Sequence, residues 1–204
     1  MTKTKSALPH QTAIANIRPG GELPDGTRVG DRLYLKWGVF TGKTTAMALL
    51  AGSLVKEGGW EVHLTSATSY QLTQLFLPEV EPQVKNPLTI ISPKHVVLPA
   101  RSVWDNDLKK HTYPYHGRVL LVDEAYDDEY LKGLINSGGF DLVVLAVSDE
   151  TYLPDGFFED WAVHKVSSTA VTELGEEGLA NQEFIDRMLS EDYFKWAPRF
   201  GISV

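Results

Sequence analysis

The chain has 204 residues, 43% of them hydrophobic and 23% charged, with a formal net charge of −8 and no cysteine. That length suits one well-buried domain, and the lack of cysteine excludes disulfides, thiol nucleophiles and Cys-ligated zinc, so any metal is expected on oxygen. No apolar run approaches the roughly 20 residues of a membrane span, and the basic start MTKTKSALPHQ has no apolar block after it; the expectation is a cytoplasmic protein, neither secreted nor membrane-inserted.

Charge is unevenly spread. Asp149 to Asp192 carries twelve acidic side chains against Lys165 and Arg187, whereas Lys94 to Arg118 carries five basic ones against Asp105 and Asp107, with three of the six histidines. The overall negative charge argues against a protein that coats nucleic acid and leaves one central segment suited to a polyanion.

Residues 1–30 are rich in Gly, Pro and polar side chains, with turn signals at Pro19-Gly20-Gly21 and Pro24-Asp25-Gly26, and are expected as an irregular arm or lid edge before a single domain at 31–204. Arg32 to Thr45, RLYLKWGVFTGKTT, then has the anatomy of a phosphate-binding loop. A short apolar strand leads into a glycine-bearing turn, and Lys43-Thr44-Thr45 opens a helix. Backbone N–H groups from Gly38, Val39, Phe40, Thr41 and Gly42 through Thr45 would converge on a polyphosphate, with Lys43 as a point charge and the Thr44 hydroxyl as a magnesium ligand. The pattern GxxxxGK[ST] asks for glycine where this chain has Trp37, the glycine being displaced to Gly38.

Thr44 to Glu57 reads as a helix closed by Gly58-Gly59, and Glu61 to Thr65 as a second strand. Thr65, Ser66 and Thr68 follow at the strand's C-terminal end, where open α/β sheets place ligand contacts, and where hydroxyls also serve as helix N-caps. Ser69 to Leu77 is expected as a helix ended by Pro78, Pro78 to Pro87 as a connection, and Leu88 to Ile91 as a short strand. Pro93 to Gly117 lacks regular periodicity and interleaves Lys94, Arg101, Lys109 and Lys110 with Trp104, Tyr113 and Tyr115, a composition suited to single-stranded nucleic acid and equally to a solvated loop. Arg118 to Glu124, RVLLVDE, is a buried strand that ends in an acidic pair. Asp123 would hold magnesium and Glu124 would deprotonate an attacking water. Asp127 to Asn136 reads as a helix, and Asp141 to Val147 as an apolar strand ending at Ser148, a candidate sensor of the terminal phosphate or a turn. Ala162 to Ser167 is expected as a last strand and Asn181 to Lys195 as an amphipathic helix.

Phosphate loop, helix, strand with Asp-Glu and a further apolar strand together resemble the P-loop NTPases with an additional catalytic glutamate, the class of RecA-type motors, helicases and viral packaging ATPases. The resemblance spans Arg32 to Ser167 and implies a three-layer α/β fold with a mostly parallel sheet in the order 5-1-4-3-2. It implies ATP and Mg2+ as cofactors, Lys43 and Glu124 as catalytic residues, Thr44 and Asp123 at the metal, and nucleic acid as partner; for a viral protein the compartment would be the host cytoplasm. Superfamily-1 helicases are the nearest form, through LTSAT at Leu64 to Thr68 and VDEA at Val122 to Ala125. Two features depart from them: Ser148-Asp149-Glu150 lacks their Gly-Asp-Pro-x-Gln pattern, and the chain has no room for a second motor domain, which implies a homo-oligomer that supplies an arginine or a protein that binds nucleotide without being a complete helicase. FTGKT with Asp123-Glu124-Ala125 is also similar to type II thymidine kinases, whose cysteine-bound zinc is missing here. A scaffold that binds nucleotide without hydrolysing it is the third reading, prompted by Trp37.

Overall fold

In a computed structural model of the chain, the described residues are 7–84, 88–125, 129–137, 139–147, 153–172, 182–200 and 202. In chain order the elements are α1 (Pro9–Ala15), β1 (Arg32–Trp37), α2 (Lys43–Glu57), β2 (Trp60–Ser66), a π-helical turn (Gln71–Phe76) running into α3 (Leu77–Val84), β3 (Thr89–Ser92), β4 (His95–Leu98), β5 (Val103–Asp105), β6 (Lys110–Thr112), β7 (Gly117–Asp123), α4 (Glu129–Asn136), β8 (Leu142–Ala146), β9 (Ala162–Val166), α5 (Ser168–Thr172), α6 (Gln182–Glu191), α7 (Tyr193–Trp196) and a 3-10 turn (Pro198–Phe200).

A mostly parallel sheet of seven strands, in the order β3-β4-β2-β7-β8-β1-β9, forms the centre. Alternation along each strand sends side chains to opposite faces. Leu33 and Leu35 of β1, Val62 and Leu64 of β2, and Val119 and Leu121 of β7 join Met47, Leu50, Leu54, Phe76 and Val80 in one core cluster. Tyr34, Leu120, Val122, Val143 and Leu145 join Leu131 and Ile135 of α4 and Trp161 in the other. Both faces are therefore covered, which is why β7 and β8 read as continuous apolar runs. Each fully buried Leu or Val contributes about 1.5–3 kcal/mol.

The sheet differs from the expected five strands in the order 5-1-4-3-2, because β4 and β3 extend it beyond β2, both antiparallel to their neighbours. The reason is local: only Pro93 and Lys94 separate β3 from β4, a link long enough for a hairpin and too short for a crossover helix. His95-Val96-Val97-Leu98 is buried throughout, in a stretch whose polar composition concealed a strand.

Three further expectations change. Pro78 does not end the helix before it; the π-helical turn closes with Leu77 N–H donating to Leu72 O, a wider turn that accommodates the ring, and α3 continues through Pro82 with Leu77, Val80 and Val84 buried. The C-terminal helix breaks at Asp192, whose extended backbone and side-chain bond to Lys195 N–H (3.1 Å) cap α7. Finally, the stretch expected as an irregular arm supplies α1, and Ile14, Ile17, Leu23 and Val29 lie in the core.

Candidate functional site

The loop 38–42 leaves the C-terminal end of β1 and enters α2 at Gly42, whose left-handed backbone (φ 79°) suits glycine; Phe40 shares that conformation (φ 62°). Thr41 Oγ1 donates to Gly38 O (2.7 Å), and Lys43 Nζ donates to Trp37 O (3.0 Å) and Gly38 O (3.3 Å), so the loop is curled around the buried ammonium. Burial lowers the Lys43 pKa, opposed by the charges of Glu124 and Asp123.

The first turn of α2 has no side-chain cap, so its first N–H groups, which an α-helix leaves without partners in the helix, are not capped by a side chain. Leu35, Ala146 and Asp123 stand in one row across β1, β8 and β7. That register puts the end of β7 beside the helix start, and Thr44 Oγ1 donates to Asp123 Oδ2 (2.9 Å) and Oδ1 (3.2 Å). Burial raises the Asp123 pKa to about 7; the Thr44 hydroxyl pulls it down and the Glu124 charge adds to the rise. Glu124 follows with a left-handed backbone (φ 63°), its N–H on Ala146 O (2.9 Å) and its carbonyl taking Ala67 N–H (3.0 Å). A non-glycine residue held in that region is costly and persists where the surrounding structure imposes it.

The loop is gripped from two sides that sequence reasoning missed. From α1, His10 Nε2 donates to Thr41 O (2.9 Å) and Gln11 Nε2 to Gly42 O (3.4 Å). From the C-terminal part, Ser168 Oγ donates to Val39 O (2.6 Å), Arg199 O accepts Val39 N–H (2.7 Å), and Phe184 meets Phe40 edge to face. A Cβ on Gly38 would lie 2.4 Å from Phe200 O, so this glycine is required by close approach. No sequence signal links these positions to the loop. Trp37 is the last residue of β1 and points into the core: its ring lies edge-on to His10, and Nε1–H donates to His164 Nδ1 (2.9 Å). The tautomer so imposed aims His164 Nε2–H at Asp25, 3.7 Å away.

The residues expected to contact nucleic acid separate into two groups. Near the loop, Thr65 donates to Lys94 O (2.6 Å), Ser66 to Asp123 O, and Thr68 forms a reciprocal cap with Gln71. These hydroxyls brace the sheet end and the following turn. Arg101, Lys109 and Lys110 lie at the other end of the sheet, where β2 and β7 begin: Arg101 O accepts Gly59 N–H, and β6 carries Lys110. Arg118 pairs with Glu61 there (3.0 Å), while Arg187 and Arg199 sit on the loop side, over Phe184 and Trp196. Ser148 lies outside the described residues.

A further polar chain crosses the α4 face of β2 and β4. Because the Glu61 carboxylate only accepts, His63 Nε2–H donates to it (2.9 Å), His95 Nε2–H donates to His63 Nδ1 (2.8 Å), and Tyr130 O–H donates to His95 Nδ1 (2.9 Å). Burial, with His63 adding to it, lowers the His95 pKa to about 4.

Among the described residues no cluster of three or more His, Cys, Asp or Glu is placed to hold a metal. The Thr44–Asp123 pair still fits magnesium, which takes hard oxygen and commonly only one or two protein ligands beside water and phosphate. Comparison with known proteins finds no family model, no curated protein and no solved structure that matches the chain.

Proposed function

We propose that this protein is a magnesium-dependent ATPase of the P-loop type that acts with nucleic acid. The observation that carries the reading is the Thr44–Asp123 hydrogen bond, which joins positions 79 residues apart on the rim shared by the curled loop, Lys43 and Glu124. The five parallel strands β9, β1, β8, β7 and β2 support it, since β1 and β7 flank β8 and deliver loop and acidic pair to one sheet end.

In this reading the α2 N-terminus and the loop's N–H groups bind the phosphates and Lys43 adds its charge. Thr44 and Asp123 would hold magnesium, which neutralises charge on the phosphate oxygens when bound. Glu124, at the end of β7 beside Asp123, takes the proton of a water whose oxygen bonds to the terminal phosphorus as the bridging P–O bond breaks.

ATP turnover with Mg2+, with and without single-stranded DNA or RNA, tests this. The parent should release phosphate and Glu124→Gln should lose about a hundredfold or more while still binding nucleotide. A Gln variant as fast as the parent would refute the assigned base. Consumption of ATP only after a nucleoside is added would favour the kinase reading. Nucleotide binding without turnover would favour the scaffold.

A further inference from the structure

We infer that the ribbon formed by β5 and β6 is a contact surface for single-stranded nucleic acid, set at the opposite end of the sheet from the phosphate loop. Its root is defined by Gly59 N–H on Arg101 O (3.2 Å), His116 N–H on Gly59 O (2.9 Å) and the contact of Val103 with Gly58. Gly117 pairs with Trp60 at this end of β7, and Asp123 with Ser66 at the other. Seven strand residues at about 3.3 Å each separate the two ends by about 20 Å.

The ribbon is built from few residues, with Trp104 opposite His111 on one face and Asp105 opposite Lys110 on the other, and much of its surface faces solvent. A two-stranded ribbon of this size contributes little stability by itself. Yet the ribbon and the residues flanking it display Trp104 at 53% exposure, Tyr113 at 80% and Tyr115 at 69%, beside the exposed Lys109 and Lys110 and Arg101, whose Nη2 donates to Val84 O (3.4 Å). Of the nearby acids, Asp105 shapes the turn, its Oδ1 accepting Asp107 N–H and Leu108 N–H (2.9 Å each), and Asp107 is exposed. Exposed rings, Trp104 among them although it meets His111 edge to face at 5.4 Å, and cations within one short segment match a ligand with stackable faces and a repeated negative charge, which is single-stranded nucleic acid. The hydroxyls near the loop do not offer this, being bonded within the protein. The inference concerns the partner in the proposed function and does not depend on hydrolysis.

Fluorescence anisotropy of fluorescein-labelled dT20 and of a labelled 20-base-pair duplex, titrated at several salt concentrations, tests it. The parent should bind dT20 more tightly than the duplex. Trp104→Ala combined with Tyr113→Ala should weaken dT20 at least tenfold without a change in circular dichroism. Lys109→Asn with Lys110→Gln, the Asn chosen because Lys109 has φ 51°, should lower the slope of log affinity against log salt by about 1.4. Lys43→Ala should bind dT20 like the parent while losing nucleotide, which keeps failure of this inference distinct from failure of the ATPase reading. Absence of dT20 binding at low salt, equal binding by the aromatic variant, or preference for the duplex would overturn it; capture of a protein by an otherwise dT20-inert ribbon belongs to the first of these.

Discussion

Replacing Gly38 with alanine isolates the grip of the C-terminal part on the loop 38–42. A Cβ at this position meets Phe200 O at 2.4 Å, Phe200 C at 2.6 Å and Ser168 Oγ at 2.5 Å. Two of these atoms are backbone in a fully buried residue, so relief requires the loop and the 3-10 turn to part. Overpacking of this kind costs about 1–3 kcal/mol. Parting also weakens Val39 N–H to Arg199 O and Ser168 Oγ to Val39 O, each contributing about 1 kcal/mol. The expected loss is about 2–4 kcal/mol in urea unfolding followed by tryptophan fluorescence, with weaker nucleotide affinity because the donors of the loop move. Gly133→Ala is the control: nothing lies within 4 Å of its Cβ on α4, and the helix should gain up to about 1 kcal/mol. If Gly38→Ala unfolds within about 0.5 kcal/mol of the parent, the close approach does not constrain the loop.

Trp37→Phe should cost about 1–3 kcal/mol, because His164 Nδ1 loses its buried donor, and leave nucleotide affinity unchanged, because the ring faces the core; a large affinity loss would mean that the ring touches the ligand. Glu124→Gly should be less destabilising than Glu124→Ala, since φ 63° favours glycine, and both should lack turnover; thermal melts and phosphate release check this. For His95 the folded pKa of about 4 lies below the ordinary 6.5. Above pH 6.5 both states are neutral and nothing is lost. As pH falls from 6.5 to 4 the unfolded chain takes a proton that the folded one refuses, and stability drops by at most about 3 kcal/mol. Asp123, raised to about 7, acts in the other sense, losing stability as pH rises from about 4 to 7. The measurement is therefore the difference between parent and His95→Gln unfolding energies across that range, with Glu61, His63 and Tyr130 unchanged; a pH-independent difference would refute the His95 assignment.

The strand before the loop, the loop with its following helix, and the apolar strands of the parallel part were legible in sequence. Their signals are local: apolar runs, glycine stops and a lysine-threonine helix start. Strand β4 and the β5–β6 ribbon were not, because in 93–117 basic and aromatic residues hide the alternation that burial imposes. Pro78 misled as a stop because a π-helical turn and three buried apolar side chains outweigh a ring that an isolated helix would reject.

By itself, the sequence determined an α/β chain with a glycine-bearing loop before a helix and an acidic strand end, since each is a property of a few consecutive residues. Tertiary structure alone decided what surrounds them. It put Thr44 on Asp123, and turned Trp37 to a histidine 127 residues away. It used the hydroxyls of Thr65, Ser66 and Thr68 internally, and set Lys109 and Lys110 at the opposite end of the sheet from the loop. The physical reason is that a donor's partner depends on sheet register and on packing between distant segments, and neither is encoded in the spacing of neighbours.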